Sequence, residues 1–493
     1  VNHVSPEKAG ISSEQVLKFV QSLENRNLST HNVILARGED VFFEHYWPPF
    51  DKSFGHRMYS VSKSIVSIAV GFCEQDGLLR LDDKISMYFP EEAKRATDEN
   101  LKNQTIRHML MMATAKPAQN WFAAAPDDRV RFYFENDGVQ SRPSGTIYNY
   151  DSSGSFVLAA LVERLTKLPF MEYLREKLFD KIGVSKEAFC LKCPGGHSWG
   201  DSGVICTPRD LLKIARFLLN GGTWNGEQIL NERYVTEATA KQIDNNPWGL
   251  NDFDTQGYGF QFWRTWRNSF FFNGMGCQFA VCVPDLDLIL VYNGDNQGKN
   301  LAKNVIFEAF FTHIADSMQG GPLAENAASQ ERLDAYCADL ALAAAKGSKH
   351  SDFEREVNGV TFAVRDNPMG ITKFKLEFDG NGGGQFGFTN AQGDKAIAFR
   401  MCENAFGAFP QEGYADEVGT VKTKGHFYRC AASAAWIEPK KLFLKVQIID
   451  EYFGNLGITI GFDGSGKAGL YCAKSAEDFL NEYEGFAEAE KII

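Results

Sequence analysis

The 493-residue chain has no run of about 18 or more apolar residues, so no segment of it reads as a membrane-crossing helix. Positive charge is in deficit. Lys and Arg total 51 against 63 Asp and Glu, a net charge of −12, which argues against nucleic acid as a partner because phosphate binding needs a basic face. The nine histidines fall in no metal-ligand spacing, and neither a metal nor a cofactor is expected. Disulfide staples are not needed by a chain of this length. The ten cysteines are scattered, several of them in apolar stretches (Cys73, Cys206, Cys282), and read as reduced core thiols. Cys190-Leu191-Lys192-Cys193 spells half a zinc site, with no second pair nearby to complete it. The start, Val1-Asn2-His3-Val4-Ser5-Pro6, lacks a basic-then-apolar signal pattern, so the expected location is cytoplasmic.

What is present reads as a soluble globular protein, 44% apolar and 23% charged, and too long for one core. Asn32 to Ala36 and Val41 to Phe43 form a hairpin around Gly38-Glu39-Asp40. Residues 105 to 190 are mainly helical, with a clear helix from Ser155 to Leu165. Another runs from Pro208 to Leu219 behind a Thr207 cap. Strands return at Gly259 to Trp263, Ser269 to Phe272, Gln278 to Val283 and Leu286 to Tyr292, followed by a helix from Asn304 to Ser317. This order predicts an α+β fold, an antiparallel sheet flanked by helices with a helical subdomain, over residues 1–320. Gln319-Gly320-Gly321-Pro322 punctuates the chain, and 321–350 reads as a helical linker. Short aromatic strands between Gly-rich turns then predict an all-β domain over 351–493, a sandwich or a barrel.

Chemistry is concentrated at Ser60-Val61-Ser62-Lys63. A serine hydroxyl is a weak nucleophile that needs a base beside it, and one helical turn brings positions i and i+3 onto one face. The residues that follow, Ile65 to Cys73, are apolar on nearly every side, so the helix should be buried. A lysine at its root loses hydration, which disfavours its charged form and makes it a candidate base. Ser5-Pro6-Glu7-Lys8 has the same spelling, but it stands in a polar start and reads as a capped surface turn.

Two further stretches could serve such a nucleophile. Gly145 to Gly154 is a polar loop with two tyrosines, Tyr148 and Tyr150, set just before a helix. A tyrosine near a lysine can pass protons or be held as phenolate. Phe271-Phe272-Asn273-Gly274-Met275-Gly276 is a strand passing through glycines, which permits close backbone approach and could offer an amide to an oxyanion.

Together these three stretches resemble the serine β-lactamase, penicillin-binding-protein and class C-like esterase superfamily, which carries Ser-x-x-Lys, Tyr-x-Asn or Tyr-x-Ser, and a Lys-Thr-Gly-type strand in this order. The resemblance covers about residues 5 to 315. It implies Ser60 as the acylated nucleophile, Lys63 as its base and Tyr150 as the catalytic tyrosine, with Tyr148 the alternative register. Ser152 falls on the common Asn position, a swap that resembles amide- and ester-cleaving members. Phe272-Asn273-Gly274 occupies the Lys-Thr-Gly positions, which makes Met275 the second oxyanion amide beside that of Ser60 and places Asn273 and Ser152 in substrate binding. The family's lysine or histidine at the first of these positions helps hold a substrate carboxylate, and Phe272 cannot pair with one. β-Lactams and D-Ala-D-Ala peptides are therefore not the expected substrates, unless Arg264 or Arg267 substitutes from the adjacent strand.

The expected activity is a metal-free serine hydrolase acting on a small-molecule ester or amide. The alternative is a non-hydrolysing ligand-binding or penicillin-binding sensor protein of the same fold. Three other spellings fail on context. Gly196-His197-Ser198-Trp199-Gly200 lacks the strand and helix of a nucleophile elbow, and Gly200-Asp201-Ser202-Gly203 lacks a barrel pattern around it. Gly382 to Gly387 leads into no helix and reads as a loose hairpin turn rather than a dinucleotide loop. The C-terminal strands carry no catalytic signature, and covering the active-site mouth or self-association are the roles left open to them.

Overall fold

The computed structural model describes residues 2–122, 124, 126–135, 139–245, 251–413, 424–477 and 479–492. These fall into two compact units that divide between Ala341 and Leu342. Among the described residues no helix is long and apolar enough to cross a membrane.

The first unit is built on a seven-stranded sheet. Its strands are β1 (Asn2–His3), β2 (Thr30–Arg37), β3 (Asp40–Tyr46), β4 (Trp263–Thr265), β5 (Ser269–Gly274), β6 (Gln278–Val283) and β7 (Leu288–Gly294), in the order β1-β3-β2-β7-β6-β5-β4. The two chain ends thus meet at the β2–β7 pair, as the strand–helix–strand order predicts. All neighbours are antiparallel except the two-residue β1–β3 pair, which is parallel.

Helix α1 (Ser13–Asn25) lies on one face of this sheet. Its apolar residues Val16, Phe19, Val20 and Leu23 recur at helical spacing and are fully buried with Phe271, Phe279 and Leu290 of the sheet. Each such side chain contributes roughly 2 kcal/mol of transfer free energy. Helix α2 (Val61–Gln75) is buried from Val61 to Cys73, which follows from its apolar residues on every side. It packs against α3 (Ser152–Thr166), itself buried from Ser153 to Val162. Helix α4 (Pro208–Leu219) begins as predicted, with Thr207 Oγ1 accepting the Asp210 amide and Pro208 at the first position.

Several elements differ from the sequence reading. Gly259 to Phe262 is not strand, because Gln261 adopts a left-handed φ of 66° and sends its amide to the Met109 and Leu110 carbonyls. The helix expected from Asn304 to Ser317 is helix α5 (Ala302–Ala309), then a wider turn over Phe310–Ile314 and a tight one over Ala315–Ser317. In the 321–350 stretch only Ala327–Ala338 is helical, and its Leu333 and Cys337 are buried in the core that α1 lines.

The second unit is a barrel of ten strands: β8 (Thr361–Val364), β9 (Lys373–Phe378), β10 (Gly383–Asn390), β11 (Gly393–Met401), β12 (Ala405–Ala408), β13 (Arg429–Glu438), β14 (Lys441–Ile449), β15 (Phe453–Phe462), β16 (Lys467–Ser475) and β17 (Gly485–Lys491). Neighbours pair in the order β11-β10-β9-β8-β17-β16-β15-β14-β13-β12, and a short parallel β11–β13 pair closes the ring. Burial alternates along most strands, as the pleat requires. Rings fill the inside, with Phe362 stacked on Phe374 at 5.0 Å and Phe374 beside Phe386 at 5.9 Å. Gly382, at a left-handed φ of 78°, closes the hairpin turn from β9, and Gly383 to Gly387 are the start of β10 rather than part of a loose turn. Glycine at Gly384 is required there because a Cβ would lie 2.5 Å from the Glu377 carbonyl of β9.

Candidate active site

Ser60 stands at the N-terminus of α2, where a serine commonly turns its oxygen onto the helix amides. Here it makes no such bond. Instead the Lys63 ammonium donates to Ser60 Oγ at 3.0 Å and to the Asp201 carbonyl at 2.6 Å. Its third direction faces the Tyr150 ring, whose centroid lies 5.0 Å away. Lys63 is 1% exposed, so hydroxyl, carbonyl and π-face replace its water.

The residue before Ser60 is conformationally costly. Tyr59 holds φ at 47°, a left-handed backbone that a bulky side chain rarely adopts and that costs of order 1–3 kcal/mol. Packing holds it there. The Arg57 guanidinium sits 4.4 Å from the Tyr59 ring centroid and 4.4 Å from that of Trp199. Arg57 also donates to the Ser202 carbonyl at 3.3 Å.

Trp199, Asp201 and Ser202 belong to the loop whose serines mimic two other hydrolase motifs. Ser198 and Ser202 are both buried in it. The loop's part is to support α2: its Asp201 carbonyl receives Lys63, and Val204 at its exit donates its amide to Ser62 Oγ at 2.9 Å. Burial pushes the Asp201 carboxyl up, while Lys63 nearby pulls it down; its Oδ2 accepts the Trp121 indole at 3.2 Å. His197 pins the near end of the loop to Glu163 at 2.7 Å, a bond that raises the imidazole pKa. The Asp201 carbonyl is a partner that no sequence pattern reveals, since a backbone oxygen carries no residue signature.

The tyrosine loop is fixed from both sides. The Asn149 amide reaches the Met112 carbonyl at 2.8 Å, and Asp151 caps α3 through the Gly154 amide at 3.0 Å. Asp151 is fully buried and also accepts Thr114 Oγ1 at 2.7 Å; burial raises its pKa against these bonds. Helix α3 therefore starts at Ser152, three residues earlier than its apolar repeat suggests. Of the two tyrosines, Tyr150 meets Lys63, and its ring lies beside Trp263 at 5.8 Å. Tyr148 packs between Tyr258 and Trp263, and burial pushes its phenol far up. Ser152 is half-buried in the first turn of α3.

Strand β5 reaches the site along its edge. Strand β4 pairs only with Ser269, Phe270 and Phe271, so among the described residues no strand covers that edge from Phe272 onward. A Cβ on Gly274 would lie 2.3 Å from the Met58 carbonyl, so the glycine lets the strand end lie against the entrance to α2. Among the described residues neither the Ser60 nor the Met275 N–H donates to a protein acceptor.

Phe272 is fully buried, edge-on to Phe262 at 5.1 Å, and offers nothing polar. Arg264 does not replace the missing cation, because it donates to the Thr239 carbonyl at 2.7 Å and to Asn268. Nor does Arg267, which pairs with Asp316. A cation missed at the sequence level does approach this strand: Lys303, in the first turn of α5, donates to Asn273 Oδ1 at 3.2 Å.

The fold and part of the sequence have counterparts among known proteins. A 6-aminohexanoate-dimer hydrolase of Paenarthrobacter ureafaciens is 24% identical over 280 residues, 53% of this chain and 71% of that protein. A candidate 6-aminohexanoate-dimer hydrolase from Bacillus anthracis superposes with a TM-score of 0.50 at 17% identity, over 64% of this chain and 85% of that one. A candidate beta-lactamase from Bacteroides dorei gives 0.52 at 14% identity, over 62% and 99%. The beta-lactamase family profile matches residues 18–305, and the chain belongs to that family.

Proposed function

We propose that the protein is a serine hydrolase that cleaves a small ester or amide through an acyl-enzyme on Ser60. The observation that carries this reading is an amine 1% exposed and 3.0 Å from the Ser60 hydroxyl. With the amine neutral, its lone pair takes the Ser60 proton as Oγ attacks the carbonyl carbon. We assign the Tyr150 hydroxyl, on the ring that faces the same amine, to relay that proton to the leaving group. The Ser60 and Met275 amides receive the negative oxygen of the tetrahedral intermediate. Water then attacks the acyl-enzyme along the reverse proton path and frees the acid.

The family resemblance assigns Asn273 and Ser152 to the substrate side, and Lys303 gives Asn273 a positive neighbour. That favours an acyl or leaving group bearing a carboxylate. The buried Phe272 disfavours β-lactams and D-Ala-D-Ala peptides, and similarity to a 6-aminohexanoate-dimer hydrolase supports a short amide built from amino acids.

The test is a panel of short p-nitrophenyl esters, linear amides with and without a terminal carboxylate, and nitrocefin. Turnover of esters or amides, faster with the carboxylate, is expected. A stable covalent adduct without product release would mean a ligand-binding protein instead, and turnover of nitrocefin alone would contradict the substrate class.

A further inference from the structure

The outer face of the barrel carries an exposed stacked pair, Tyr471 and Phe486, with ring centroids 4.2 Å apart. Phe486 is 72% exposed and Tyr471 39%, so the rings stack on one another in water. They belong to a four-strand surface whose rows follow from the pairing register. One row is Phe443, Thr459, Tyr471 and Phe486, across β14, β15, β16 and β17. The next row along is Lys441, Gly461, Gly469 and Glu488. On the other side lie Lys445, Gly457 and Ala473. Aromatic residues therefore stand in one row, and three glycines flatten the surface beside it.

This face is complementary to itself. A two-fold axis parallel to the strands, midway between β15 and β16, lays β14 on β17 of a second copy and β15 on its β16 while keeping each row at its own level. Phe443 then meets Phe486 of the second copy, Thr459 meets its Tyr471, and Gly461 meets its Gly469. Lys441 faces Glu488 of the second copy, and the reverse contact repeats across the axis. Both charges have local partners now: Lys441 pairs with Glu438 at 2.6 Å, and Glu488 with Arg365 at 3.0 Å and Lys467 at 3.3 Å. Exposed pairs of this kind contribute little and exchange freely.

We propose that this face of the barrel is a two-fold self-association surface, its occupant a second copy of the chain. Four strands about 4.8 Å apart and three rows about 7 Å apart give a patch of roughly 400 Å², half of a standard interface face. The dimer is accordingly weak, with a dissociation constant in the micromolar range.

Sedimentation velocity on the full chain, from about 1 to about 200 µM, tests it. The wild type is expected to pass from monomer to dimer within that range. Phe486→Lys should weaken association at least about tenfold, since buried aromatic anchors dominate interfaces. Lys441→Glu and Glu488→Lys should each weaken it about threefold, and the double charge swap should restore it. The swap distinguishes this geometry from general surface stickiness. A monomer at every concentration, or a dimer unmoved by Phe486→Lys and by the charge swaps, would overturn the proposal. So would saturable binding of a glycan or lipid vesicle to the aromatic pair in a protein that stays monomeric.

Discussion

Two segments of this chain spell serine, two residues, lysine, and they have opposite fates. At Ser5-Pro6-Glu7-Lys8 the serine caps a one-turn helix, accepting the Lys8 amide at 3.2 Å and donating to Glu325 at 2.7 Å. The Lys8 side chain stays in water. At Ser60-Val61-Ser62-Lys63 the serine gives up the capping bond, and its oxygen meets the lysine amine instead. Spacing is shared, so spacing does not decide. What differs is the next turn. Pro6-Glu7-Lys8-Ala9 ends at Gly10 after four residues, whereas Val61–Gln75 continues into a core that excludes water from the amine.

Variants can break this contrast. The largest effect belongs to Ser60→Ala, which should lower p-nitrophenyl ester turnover by at least about 10⁴-fold. Ser5→Ala should leave turnover intact and cost about 1 kcal/mol in urea melts for the lost cap. Next comes Lys63→Ala, nearly as damaging in kcat because the proposed nucleophile and base act as a unit, while Lys8→Ala should be silent. Tyr150→Phe should lower kcat roughly 100-fold, and Tyr148→Phe should change it far less, since only Tyr150 meets Lys63.

The smallest effect concerns the loop that holds Lys63. The Glu163 bond raises the His197 pKa in the folded state, so it stabilises the fold below the unfolded value near 6.5 and fades as pH rises through the folded value. His197→Ala should therefore lower Tm more at about pH 5 than at about pH 9, measured by scanning calorimetry. Equal shifts at both pH values would remove His197 from the account of that loop.

Much of the fold was readable because local and global signals agree. Helix α2 is apolar on all sides and buried on all sides. Helix α4 carries Thr-Pro at its start and begins there. The barrel strands alternate, and their burial alternates with them. The misreadings have a common cause in backbone conformation set by distant partners. Gln261 looks like a strand residue but turns left-handed to serve carbonyls about 150 positions away in sequence. Asp201 enters the site through its peptide oxygen, which any residue could supply. Lys303 comes from a helix whose pattern marks only its buried face, so nothing local singles out the lysine that meets Asn273.

In the proposed mechanism, burial beside Lys63 makes Ser60, alone among the chain's serines, an activated nucleophile. The most direct measurement is fluorophosphonate labelling of the full chain, followed by intact mass and peptide mapping. One equivalent of label is expected on the peptide containing Ser60, with Lys63→Ala slowing its addition by orders of magnitude. Label on Ser198, Ser202 or Ser5, or an equal labelling rate without the lysine, would contradict it.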